Sequence, residues 1–123
     1  MAVVVDASAI AAVVFGEAEG EAMRRELRGQ VLYAPSLIGY ELTHIAWKKM
    51  RRTLGSAVAI SDALASVARL GVIHKEPERV EVLALAVATN LTPYDASYLW
   101  LAKTLGVRLV TLDEALARAA ARV

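Results

Sequence analysis

Ala2-Val3-Val4-Val5-Asp6-Ala7-Ser8 is the stretch whose reading decides the fold. Three consecutive β-branched residues at the start of a small protein specify a buried parallel strand, apolar on both faces. The run ends on a carboxylate, with a serine two positions later. Burying valines calls for neither. Functional groups in open α/β sheets stand just outside the carboxyl ends of the strands. Asp6 is therefore the first candidate for chemistry.

Working outward, Ser8–Phe15 reads as a short helix, capped by Asp6 or Ser8 and broken by Gly16. Glu17–Arg28 reads as an amphipathic helix with Ala18, Ala22 and Leu27 inward, its acids early and its arginines late. Val31–Ala34 is a second strand, stopped by Pro35. Pro35 and Ser36 open a long helix to about Arg52, with the apolar stripe Ile38, Leu42, Ile45 and Ala46. Leu37 and Trp47 lie at the margins of that stripe and Glu41 beside it. Gly55 and Ser56 start a helix to Leu70, with Val58, Ala59, Ala63 and Val67 inward. Val72–His74 is a brief third strand, and Pro77 opens a helix over Glu78–Thr89. Thr92-Pro93-Tyr94-Asp95 is a strong helix start, with Thr92 as cap and Asp95 resembling the acid of a capping box. That helix runs to Leu105 and stops at Gly106. Val107–Thr111 is a fourth strand, and Asp113 leads into a last helix, Glu114–Arg122. The order βααβααβααβα implies α/β architecture: a parallel sheet of about four strands, right-handed crossovers, and helices on both faces. With no repeat, linker or low-complexity segment, residues 1–123 are expected to form one domain.

Composition sets the bounds. The 123 residues suit one core, and the apolar share of 57% exceeds the usual ~45–50%. A chain this short cannot bury all of it, so a homodimer is expected. The helices after Asp6 and over Ser56–Leu70 are its candidate surfaces. Fourteen basic and 13 acidic residues leave a net charge of +1, which excludes a strongly basic nucleic-acid binder but leaves room for a local patch. Without cysteine there is no disulfide frame, zinc–thiolate site or thiol nucleophile. No apolar run is long enough to span a membrane and no signal peptide is visible, so the expected location is the cytoplasm.

The acids carry the chemical argument. Asp6 and Asp113 each follow a β-rich run; if those strands pair in parallel, both acids emerge at one sheet edge. Glu41 and Asp95 lie near the N-terminal ends of helices, which begin at that same edge when they follow strands. Each also has a plain structural reading. Asp6, Asp95 and Asp113 are in capping or first-turn positions, and Glu41 can reach water from a helix margin. Glu114 could cap back to Thr111 and leave Asp113 available. Asp62, mid-helix, reads as solvated surface. Clustered carboxylates repel one another, so a cluster of four needs a neutralising partner. Hard divalent cations with oxygen ligands fill that need. No phosphate-cradling glycine motif and no nucleophile elbow is present, which argues against a P-loop, dinucleotide or serine–histidine site. His44, three residues after Glu41, could approach the acids. Tyr40, Trp47, Tyr98 and Trp100, at helical spacing, read as core. Lys48, Lys49, Arg51 and Arg52, about two turns beyond Glu41, are a candidate phosphate-contacting patch.

Four ordered motifs then carry a resemblance: Val-Val-Val-Asp6-Ala-Ser8-Ala, Ala-Pro35-Ser-Leu-Ile-Gly-Tyr-Glu41, Leu-Thr-Pro-Tyr-Asp95-Ala-Ser-Tyr-Leu-Trp-Leu-Ala, and Leu-Val-Thr111-Leu-Asp113. They span nearly the whole chain. The chain resembles the PIN-domain family and, within it, the VapC toxins of prokaryotic toxin–antitoxin pairs. The resemblance implies a parallel sheet with the N-terminal strand at its centre. It puts Asp6, Glu41, Asp95 and Asp113 in the acidic positions that hold Mg²⁺ or Mn²⁺, and Ser8 and Thr111 in the small polar positions beside them. The implied activity is a metal-dependent endoribonuclease that cuts RNA with a metal-activated water and is restrained by a cognate antitoxin. The alternative is a non-catalytic PIN module serving as an RNA- or protein-binding scaffold. Family members commonly add a fifth short strand after the last helix; this sequence reaches Val123 without one.

Overall fold

The computed structural model describes residues 1–52 and 56–123; Gly55, expected to open a helix, lies outside the described residues. Strand β1 (Ala2–Val5) buries Val3, Val4 and Val5 almost completely. Such burial is worth roughly 1.5–3 kcal/mol per valine, and only an interior strand offers it. β1 indeed lies between β2 (Val31–Ala34) and β4 (Arg108–Val110), with the short β3 (Ile73–His74) beyond β2. Among the described residues the sheet has four strands in the order β3-β2-β1-β4, every pair parallel. β4 forms one edge.

The crossovers are helical: α1 (Ala7–Val14) and α2 (Gly20–Leu27) after β1, α3 (Leu37–Arg52) and α4 (Ala57–Ser66) after β2, α5 (Arg79–Thr89) and α6 (Pro93–Leu105) after β3, and α7 (Glu114–Arg122) after β4. The side chains of Ile10, Leu42, Tyr98, Leu99 and Leu116 complete the core around the β1 valines. Two of the caps, Ser56 and Thr92, are residue types that favour the position, and Glu78 fills the same role on α5. Ser56 accepts from the Ala59 N–H, Glu78 from that of Glu81, and Thr92 from that of Asp95. No helix among the described residues is long and apolar enough to cross a membrane.

Two features of the topology position the site. The β1–β4 register pairs Val5 with Val110, and the Asp6 N–H donates to the Val110 carbonyl at 3.2 Å. Asp6 thus leaves the sheet beside Thr111. The second feature concerns α6, which follows a helix rather than a strand. It reaches the acidic edge because of the strand it precedes. β4 is parallel to β1, so α6 must finish at the opposite edge and begin at the carboxyl edge, with Asp95 in its first turn.

Several local expectations need correction. α2 begins at Gly20, and its sheltered residues are Gly20, Met23 and Leu27, whereas Ala18 and Ala22 are exposed. The cause is a backbone approach: a Cβ on Gly20 would stand 2.4 Å from the Ala12 carbonyl oxygen, so this face must meet α1. Of the residues expected inward on the helix after Ser56, Ala63 and Val67 are half-buried, but Val58 and Ala59 are exposed. That segment packs mainly on α3, and its α-helix ends at Ser66 before a 3₁₀ turn over Val67–Leu70. The helix after Asp6 is no candidate dimer surface, since Ala7 and Ala9 to Val13 are all buried. The apolar side chains left bare lie elsewhere, chiefly Val80, Leu83 and Val87 along one stripe of α5, 72%, 58% and 78% exposed. Of the aromatic residues expected in the core, Tyr98 is buried and Trp100 half-buried, but Tyr40 and Trp47 are exposed.

Candidate active site

Asp6 takes the capping role weighed for it, and its carboxylate also lines the site cavity. As N-cap of α1 its Oδ1 accepts from the Ala9 N–H at 3.2 Å. The same oxygen accepts from Ser8 Oγ at 2.7 Å, and Oδ2 accepts from Thr111 Oγ1, also at 2.7 Å. Ser8 therefore orients the cap rather than forming it. Each hydroxyl has one proton and gives it to Asp6. Their oxygens then accept backbone N–H groups beyond β4: Leu112 N–H to Ser8 and Asp113 N–H to Thr111, both 2.9 Å. These bonds tie the ends of β1 and β4 together and lock the Asp6 carboxylate in one orientation.

Asp113 is likewise an N-cap, accepting from the Leu116 N–H at 2.9 Å through Oδ1. Among the described residues the alternative cap by Glu114 is not formed; Glu114 is exposed and faces Arg118 at 3.8 Å. Asp95 receives the Thr92 cap on its backbone N–H, and its carboxylate makes no return bond among the described residues. Glu41, one turn into α3, is held by the Tyr98 hydroxyl, which donates to its Oε1 at 2.6 Å.

All four acids line one cavity of about 800 Å³, together with Ser8, Tyr40, His44, Tyr94 and Tyr98. Its electrostatics follow from crowding. Burial raises the pKa of Asp6, with the Asp113 charge adding to it, while the bonds from Ser8, Thr111 and Ala9 pull it back. Burial also raises Glu41, against the Tyr98 bond and with the charges of Asp95 and Asp6. Asp95 is raised by burial, then by Asp113 and Asp6. Tyr98 is pushed far above the usual tyrosine range, first by burial and then by its bond to Glu41, so its hydroxyl stays a donor. Such a wall suits a cation and repels a phosphate.

The donor set is all carboxylate oxygen, the chemistry of a hard divalent cation. Among the described residues, however, no three histidine or acidic side chains are drawn close enough to clasp an ion as they stand. The acids line the wall without closing on a point.

The basic residues divide. Lys48, Arg51 and Arg52 line an adjoining cavity with His44 and Trp47. Lys49 turns away to Glu17 at 2.9 Å and lies over the Phe15 ring. Lys49 thus stands apart from the cavity the other three share, because α3 points neighbouring residues in different directions. Sequence reasoning missed Tyr98 as a site residue. The available signal was its hydroxyl, which a core position must satisfy, one turn after Asp95.

Comparison with known proteins agrees with this architecture. The PIN domain family model matches residues 3–122. Ribonuclease VapC3 of Pyrobaculum aerophilum is 38% identical over 122 residues, covering 95% of this chain and 93% of that protein. Exonuclease VapC9 of the same organism is 38% identical over 77 residues, covering 63% of this chain and 58% of that one. The crystal structure of PAE2754 from Pyrobaculum aerophilum superposes with a TM-score of 0.78 at 32% identity, covering 97% of this chain and 79% of that chain. A four-stranded parallel sheet with β1 inside it, a family match over nearly the full length and relatives at this identity lead to one assignment: the chain belongs to the PIN-domain family.

Proposed function

We propose that this chain is a Mg²⁺- or Mn²⁺-dependent endoribonuclease, the toxin of a type II toxin–antitoxin pair, acting as a single PIN-like domain over residues 1–123. The observation that carries the reading is the convergence of Asp6, Glu41, Asp95 and Asp113 on one cavity at the carboxyl edge of the sheet. Structural caps alone do not require four acids to share a wall. The names of the relatives, a ribonuclease and an exonuclease, support the same reaction class. Asp6, Asp95 and Asp113, helped by Glu41, are the residues that would hold the cation. When bound, the cation stabilises charge on the scissile phosphate and acidifies a water.

The chain's own residues do the rest. Ser8 and Thr111 fix the Asp6 carboxylate, and Tyr98 fixes that of Glu41. Glu41 lines the cavity and, among the described residues, keeps Oε2 free of hydrogen bonds, which suits it to accept the proton of an attacking water. Lys48, Arg51 and Arg52 meet the RNA phosphates. A cognate antitoxin restrains the site in the cytoplasm, and a homodimer forms through the bare stripe of α5.

The test is incubation of the protein with total RNA in Mn²⁺, Mg²⁺ or EDTA, beside Asp6→Asn and Asp95→Asn. Internal fragments are expected with metal, and intact RNA with EDTA or either variant. Mononucleotides alone would make the enzyme an exonuclease. RNA bound but intact in every arm would favour the scaffold alternative. Light scattering tests the dimer, and a monomer at micromolar concentration and moderate salt would refute it.

A further inference from the structure

Four side chains of α3 form an exposed lane that runs on from the acidic cavity. Tyr40, His44, Trp47 and Arg51 recur at steps of four, three and four residues and so lie along one stripe of the helix. Tyr40 is 83% and Trp47 50% exposed, and His44 and Arg51 are exposed as well. The His44 and Trp47 rings stack with centroids 5.4 Å apart and planes at 28°. The Arg51 guanidinium lies 4.8 Å from the centre of the Trp47 ring. His44 borders both cavities, the acidic one that Tyr40 also lines and the adjoining one lined by Trp47, Lys48, Arg51 and Arg52. Lys48, Arg51 and Arg52 form no ion pair among the described residues.

Exposed aromatic rings contribute little to folding, and a base would enter this stack in place of the His44 or Arg51 contact on the Trp47 ring. Here the rings alternate with cations along a path that ends at the acids. That pattern matches a polymer of flat bases and phosphates. Single strands offer base faces for stacking, whereas a duplex hides them and offers phosphates. We infer that Tyr40, His44 and Trp47 form a base-stacking lane for single-stranded RNA, with Lys48, Arg51 and Arg52 neutralising its phosphates. The lane leads the strand from the C-terminal end of α3 to the acidic cavity. This inference rests on the nuclease reading of that cavity, but its test needs no cleavage.

Trp100→Phe leaves Trp47 as the sole tryptophan, the chain having two. In EDTA, a 12-residue oligouridylate should quench Trp47 emission, while an RNA duplex of equal length should bind without quenching. Trp47→Ala, read by anisotropy of a labelled oligouridylate, should weaken binding about tenfold with an unchanged salt slope. Trp47→Phe should restore most of it. Lys48→Ala and Arg52→Ala should each lower the slope by about 0.7 unit, the single-strand value per phosphate contact. Wild-type affinity in Trp47→Ala, or equal quenching by duplex, would overturn the lane. So would quenching by an amphipathic helical peptide but not by oligouridylate, which would assign the stripe to a protein partner. Failure of the nuclease reading is distinguishable: oligouridylate would bind normally in EDTA while RNA stayed intact in Mn²⁺.

Discussion

The Tyr98 hydroxyl donates to Glu41 Oε1 at 2.6 Å, joining α6 to α3 across 57 residues of sequence. Tyr98→Phe removes only that donor. A partly buried carboxylate left without its partner costs about 1–2 kcal/mol, readable in a denaturant midpoint. Glu41 also loses a bond that lowers its pKa. Its pKa should rise further, and the acid limb of the pH–rate profile should move to higher pH. A tyrosine that merely filled space would change the midpoint and leave the profile where it is.

Without metal, the acidic cavity should make the protein more stable at mildly acidic than at neutral pH. Asp6, Glu41 and Asp95 have folded pKa values raised above the ordinary 3.8, 4.5 and 3.8. The folded state then holds protons that the unfolded chain has released. Their share of stability rises as pH falls through the raised folded values and levels off below the ordinary ones. Glu76 has the opposite sign: its bond from Ser36 lowers its pKa, so its share exists above 4.5 and is lost as pH falls. Glu76 is one exposed group against three in a shared cavity, so the rise should dominate. Melting temperatures in EDTA across this range check it, and a steady fall from neutral to acid would contradict it.

Asp6→Asn and Asp6→Ala should separate capping from metal binding. An asparagine keeps an oxygen for Ser8 and the Ala9 N–H and turns an amide toward Thr111, while removing one repelling charge. In EDTA it should be at least as stable as wild type. Alanine loses the cap and both hydroxyl partners, at a cost of about 1 kcal/mol or more. Mn²⁺ should stabilise wild type by ~2.7 kcal/mol at a hundredfold excess over its dissociation constant, and both variants far less. A wild type indifferent to Mn²⁺ would sink the metal site.

Gly20→Ala should destabilise the protein by about 1–3 kcal/mol, the usual cost of forcing atoms into a packed contact. The added methyl would meet the Ala12 carbonyl oxygen at 2.4 Å, and backbone cannot swing aside as a flexible side chain can. Chemical denaturation measures the loss. An unchanged midpoint would mean that α1 and α2 can separate without penalty.

The legible part of this protein was local. A β-branched run made β1, Thr92-Pro93 started α6, and Asp113 ended the β4 segment; each signal acts within about four residues. Those signals gave the order of strands and helices and put Asp6, Asp95 and Asp113 at element junctions and Glu41 one turn into a helix, and the fold gathered all four at one cavity. What needed tertiary structure was set between distant residues. The face α2 buries depends on how closely Gly20 meets Ala12. Asp95 stands at the carboxyl edge because β4 runs parallel to β1. The orientation of Asp6 depends on Thr111, 105 residues away. Tyr98 and Trp47 look alike in an apolar helical pattern, yet one is buried with its hydroxyl on Glu41 and the other half bare beside Arg51. Periodicity marks which residues can be buried; what packs against each helix decides which of them are.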